Sequence, residues 1–244
     1  MATALQAVMY SVAPVVGMVA GGIAAARWQP GGRVRSYIQH LAAGIVFSAV
    51  GVEVLPDVIH RRDPFPAAIG FAVGVASMLS IRALSRWAES RSGSAGRGKP
   101  WALLAAVAVD VIVDGLLIGV GFAVGQRQGI LLALALTGCA VSLGLATAAA
   151  LVQAGRSRLR AGVITAGIGL LPAVGALAGA VLAGQLTGGW MEAVLSFTCA
   201  ALLYLVTEEL LLDAHESRKE PETPLTTAAF FVGFLALMIA VMII

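Results

Sequence analysis

Two aspartates stand four residues apart in an otherwise apolar run, "VDVIVDGLLIG" (109–119): Asp110 and Asp114. Positions i and i+4 share one face of a helix. The run around them spans roughly 101–124, so both acids fall near the middle of a stretch long enough to cross a bilayer. An ionisable residue there costs about 3 kcal/mol on insertion scales. Two carboxylates so close cannot both stay ionised in a low dielectric without a cation or a shared proton. The pair therefore reads as a cation or proton site. The competing reading is a structural pair, protonated or hydrogen-bonded to Ser or Thr across a bundle. Gly115 and Gly119 follow and let a neighbouring helix approach closely.

Other acids flank this pair along the chain. Near the end of an earlier apolar run stand Glu53, Pro56, Asp57 and His60; near the end of a later one stand Thr207, Glu208, Glu209, Asp213, His215 and Glu216. Pro56 is expected to kink its helix and free a carbonyl. Glu53 and Asp57 would form an outer funnel, and Glu208 and Glu209 an inner exit. Asp57 and His60 also fit a solvated helix end, and Asp213, His215 and Glu216 fit a solvated loop. His40 is either an entry or exit ligand or a helix-end His satisfied within its own turn. The two clusters echo each other: each sets two acids four apart, followed by a His, on segments of opposite direction. Such inverted repeats are common in transporters. No nucleophile–base pair, phosphate-binding glycine loop or redox centre is visible, so an enzyme is not expected.

The elements that must position these residues follow from composition. Of 244 residues, 59% are hydrophobic and only 12% charged, and the mean hydropathy is +0.92. A soluble domain carries about a quarter charged residues. Eight apolar stretches are each long enough to span: roughly 5–26, 37–59, 65–84, 101–124, 129–152, 161–183, 189–212 and 225–244. The fold class is an all-α polytopic membrane protein, one transmembrane domain of eight helices with the lipid bilayer as its partner. The first segment lacks a basic leader and is read as a retained helix, not a signal peptide. The longest loop, about 85–100, is rich in Gly, Ser and Arg and is expected to be flexible.

Charge orients the bundle. Loops after segments 1, 3, 5 and 7 hold 13 of the 16 Lys and Arg; Arg61, Arg62 and Arg127 lie on the other side. The positive-inside rule puts the rich side in the cytoplasm and both termini outside. The basic residues are thus topogenic, and no nucleic-acid partner is expected. Cys139 and Cys199 both fall within apolar runs, which argues against a disulfide framework.

Eight spans, outside termini and a long third loop resemble the ZIP family of metal-ion transporters. "HLAAGIVFSAVGVEVLP" (40–56), "DVIVDGLLIGVGFAVG" (110–125), "ALALTGCAVSLGLATAAAL" (133–151), "GIGLLPAVGALAGAVL" (167–182) and "ALLYLVTEELLLDAHE" (201–216) resemble its second, fourth, fifth, sixth and seventh helices. The resemblance implies uptake of zinc or similar divalent ions as substrate, a metal centre between helices 4 and 5, and an elevator-type motion. It further implies a homodimer at most, and the expected location is a bacterial inner (plasma) membrane. The motifs depart from the family. Its fourth-helix HNxPEG is here Asp110, Val111, Ile112, Val113, Asp114, Gly115; its fifth-helix HExPEG is Cys139, Ala140, Val141, Ser142, Leu143, Gly144; its sixth-helix Glu falls at Pro172. A two-metal centre shrinks to Asp110, Asp114 and a Cys139 that also fits as a small buried apolar residue, with Ser142 able to add an oxygen. Carboxylates with hydroxyls and water suit harder or weakly held ions, and a thiolate would pull the preference back toward zinc. Three readings follow: a divalent-cation transporter with a single-metal site, a transporter of protons or an organic cation on the same scaffold, and a non-transporting sensor or partner protein.

Overall fold

The computed structural model describes residues 2–27, 31–91, 100–216 and 224–243, with the backbone alone at 85, 86, 88–91, 100–103, 213, 215 and 216. The expected flexible stretch 92–99 and the side chains of Asp213, His215 and Glu216 thus lie outside the described parts. Among the described residues, eight helices are long and apolar enough to cross a membrane. They are span 1 (Ala2–Arg27), span 2 (Gly32–Arg61), span 3 (Pro64–Leu84), span 4 (Leu104–Val124), span 5 (Gln126–Gln153), span 6 (Arg158–Ala183), span 7 (Gly189–Leu210) and span 8 (Pro224–Ile243). The chain is an integral membrane protein, and no strand occurs among the described residues. Each apolar run is helical because lipid offers no partner for a bare N–H or C=O. Large apolar side chains such as Phe65, Leu159 and Ile243 face outward, as they must when the solvent is hydrocarbon.

The helix ends differ from the sequence reading in places. The helix of span 3 runs on to Arg91, and the one containing Asp110 starts at Pro100, so the third loop is shorter than expected. Span 7 continues as helix to Glu216. Pro64, Pro100 and Pro224 each take the first helical position, where the missing N–H is harmless. Spans 1 and 6 are interrupted at Ser11 and at Gly169–Leu170, three residues before Pro14 and Pro172 in each case or fewer. A proline ring clashes with the carbonyl four residues back, at Tyr10 and Ile168 here, and breaks the ladder there.

Spans 2 and 7 share a feature that was not foreseen. Each carries a π-helical turn, Val50–Val54 and Leu205–Leu210, in which the Leu55 and Leu211 amides donate five residues back to Val50 and Val206. These turns hold Glu53, Glu208 and Glu209. Pro56, with no N–H to continue the ladder, is therefore accommodated by a widened turn in place of the expected simple kink. In span 7 the Thr207 hydroxyl donates to the Leu203 carbonyl at 2.9 Å, competing with the backbone for that acceptor.

Close packing divides the eight spans into two groups. Spans 1 and 5 meet where Gly144 lies on the Met18 backbone and Gly17 on Thr137; spans 4 and 6 meet where Gly115 lies on Pro172 and Gly179 on Leu116. Spans 2 and 8 touch at Gly44 and Phe230, and spans 3 and 7 at Gly70 and Ala193. A Cβ added at any of these glycines would meet neighbouring backbone at under 3.0 Å. Among the described residues, every helix-to-helix glycine contact that tight stays within spans 1, 4, 5 and 6 or within spans 2, 3, 7 and 8. Between the groups the fit is looser. At Gly138 of span 5 an added Cβ would lie 3.6 Å from Ala42 of span 2, an ordinary van der Waals distance. The seam is otherwise lined by Ala and aliphatic residues such as Ala43, Val46, Leu132, Leu136 and Val206.

Candidate functional site

A cavity of about 30 Å³ opens at that seam. Spans 4 and 5 line one wall with Asp110, Cys139, Ser142, Leu143 and Ala146; spans 2 and 7 line the other with Gln39, Leu205, Glu209 and Leu210. The volume takes an ion and about one water. The placement follows from helix arithmetic. Asp110 lies ten residues past Pro100, about 15 Å along its helix at 1.5 Å per residue, and faces the partner group as the spacing required. Cys139 and Ser142 are one turn apart on span 5, both buried.

The structure thus brings together Asp110, Cys139, Ser142 and Glu209, four of the residues singled out by sequence. Asp114, one turn above Asp110, is 6% exposed and lies outside the cavity lining. Asp110, Asp114 and Glu209 are all near enough to the Cys139 thiol to interact with it electrostatically. Cys139 and Cys199 are both free and buried. Among the described residues, no three His, Cys, Asp or Glu side chains converge closely enough to hold a metal ion. Asp110, Asp114 and Cys139 are therefore not presented as a ready three-ligand centre. The place where the family resemblance implies a sixth-helix Glu is filled: Pro172 packs directly on Gly115.

The remaining residues lie elsewhere. At the end of the bundle near residue 127, Arg127 approaches Glu53 at 3.6 Å and donates to the Val241 carbonyl at 2.8 Å, while Gln128 donates to Asp57 at 3.0 Å. Glu53 and Asp57 thus face spans 5 and 8 at one end of the seam, away from the cavity. Glu208 is exposed and pairs with Arg82 of span 3. The buried His40 holds the Ser36 carbonyl at 2.8 Å through Nδ1, an interaction within its own turn, and does not line the cavity. His60 does the same with Pro56 at 2.7 Å.

Two residues went unread in the sequence. Gln39 projects into the cavity beside His40, and its position i to Leu143 across the seam depends on packing that no motif announces. Glu192, in the first turn of span 7, is 1% exposed, with Arg61 at 3.7 Å and no hydrogen bond to either carboxylate oxygen. The signal was available, since Glu192 is an acid inside an apolar run.

No family model matches the chain, and no curated protein matches it.

Proposed function

We propose that the chain is a transporter of divalent metal cations, similar to the ZIP family, that carries its substrate into the cytoplasm. The observation that carries this reading is the cavity at the seam, where carboxylates from both groups, Asp110 and Glu209, face one small polar space in mid-bundle. A buried pair of acids on opposite walls has a clear use if a cation passes between them. The 13-to-3 bias of basic residues orients the bundle with both termini outside. The cavity then lies in the cytoplasmic half: Gln39 is near the inner start of span 2, and Ala146 and Glu209 are near the inner ends of spans 5 and 7. The Arg127 contacts then close the outer end.

The motion proposed is a slide of spans 1, 4, 5 and 6 past spans 2, 3, 7 and 8, in the manner of an elevator. Tight glycine contacts hold each group rigid, and the alanine-rich seam between them presents a low barrier to sliding. The acids echoed in spans 2 and 7, each on a π turn, fit an inverted repeat about the seam. Transport runs down the metal gradient or exchanges protons for metal on the carboxylates.

The test is uptake of a metal panel by protein reconstituted in liposomes. Wild type is expected to take up at least one divalent ion, and Asp110→Asn and Asp114→Asn to lose more than nine-tenths of that flux. Undiminished uptake by both variants would sink the assignment. The absence of a three-ligand cluster favours a second reading, a proton or organic-cation transporter on the same scaffold. It predicts no divalent-ion affinity better than millimolar.

A further inference from the structure

The cavity contains more oxygen than its two acids. Gln39 and Ser142 are 3% and 4% exposed, and Gln39 Oε1 and Ser142 Oγ both lack a hydrogen-bond partner. A buried oxygen left without a partner costs about 1–3 kcal/mol. Two such oxygens bordering one small space, opposite each other across the seam, need a common explanation. Both are acceptors, and the groups beside them, Asp110 and Glu209, are carboxylates. A positive ion satisfies all four at once.

Resting on the transporter reading, we propose that the cavity is a single cation site with oxygen ligands only. Asp110 and Glu209 supply charge, Gln39 Oε1 and Ser142 Oγ complete the shell with water, and the substrate class is hard divalent ions such as Mn²⁺ and Mg²⁺. Carboxylate, amide and hydroxyl oxygens with water are the ligands such ions take, whereas zinc sites draw on imidazole and thiolate. No imidazole borders the cavity. The one sulfur is Cys139. A divalent ion balances two carboxylates, and Asp110, Asp114 and Glu209 already surround that thiol. A thiolate would add charge that one divalent ion does not balance in a low dielectric. Cys139 is therefore assigned no part in the shell. Gln39 and Glu209 belong to one sliding group, Asp110 and Ser142 to the other, so the shell as a whole exists only in this alignment. A slide in either direction halves it, which suits an ion that must be released.

The experiment is an equilibrium titration of the purified full-length protein in detergent with MnCl₂, ZnCl₂ and MgCl₂. Mn²⁺ is expected to bind once per chain, with zinc no more than about tenfold tighter. Gln39→Leu and Ser142→Ala should each weaken Mn²⁺ about tenfold. Gln39→Glu, which keeps an oxygen in place, should bind at least as well as wild type, and Cys139→Ala should bind unchanged. Should Gln39→Leu fail to fold, Gln39→Glu and Ser142→Ala decide. Zinc binding orders of magnitude tighter than Mn²⁺ and lost in Cys139→Ala would overturn the proposal. So would no Mn²⁺ binding at millimolar concentration, or wild-type binding by both Ser142→Ala and a folded Gln39→Leu. Flux in liposomes is scored separately. Binding that depends on Gln39 without flux keeps the site and removes the transporter reading. Flux with Gln39-independent binding does the reverse.

Discussion

At the scale of single residues, the buried acids divide by what faces them. Asp110 and Glu209 face a cavity, and Glu53 faces Arg127. Glu192 faces Arg61, whose own side chain is 39% exposed. Removing one partner of a buried pair leaves a charge with nothing to balance it, which is worse than removing both. Arg61→Ala is accordingly expected to cost about 2 kcal/mol, read as a lower melting temperature in detergent. Adding Glu192→Gln should restore most of it. A double variant no more stable than Arg61→Ala would show that the ion pair is not the cause.

At the scale of elements, the glycine contacts make two opposite predictions on one helix. Gly144→Ala places a methyl against the Met18 backbone, which has nowhere to go; the expected cost is about 2 kcal/mol. Gly138→Ala has room beside Ala42 and gains helix propensity, so it should be neutral or stabilising by up to about 1 kcal/mol. Thermal melts of the two variants side by side test this. The Arg127 contacts to Glu53 and Val241 tie span 5 to spans 2 and 8. Arg127→Ala should loosen that end. With Cys139 and Cys199 replaced by Ala, a Val54→Cys reporter, buried in wild type, should then react several-fold faster with a membrane-impermeant thiol reagent. An unchanged rate would mean the contacts do not close the seam.

At the scale of the molecule, sliding requires the two groups to be separable. Cβ atoms at 42 and 138 would lie 3.6 Å apart, within disulfide range. Ala42→Cys with Gly138→Cys, again without the native cysteines, should cross-link on oxidation, stop transport and regain it on reduction. Full flux in the oxidised protein would exclude motion along this seam. How much of this was legible in sequence depended on range. Lipid dictates a length and an apolar composition for each span, so all eight were readable within a few residues. Asp110, Cys139, Ser142 and Glu209 were readable because polar atoms in such runs are costly. Gln39 was not, since a neutral amide near a helix end looks solvated until the opposite wall is known. The grouping of spans was also hidden: glycine runs announce close packing without naming the partner helix. The π turns escaped because Glu208 and Glu209 fit an ordinary helix equally well.

Those two turns have a consequence in the counting of residues. A π turn is an α-helix with one residue to spare, and each α-helical residue turns the chain by about 100°. Deleting one residue from Val50–Val54 or Leu205–Leu210 would let the helix close into regular form. Everything beyond the deletion would then swing by about a quarter of a turn relative to everything before it. In span 7 that rotation would carry Glu209 off the cavity wall while leaving composition, charge and span length almost untouched. The spare residue thus sets the phase between the acid and the helix that carries it.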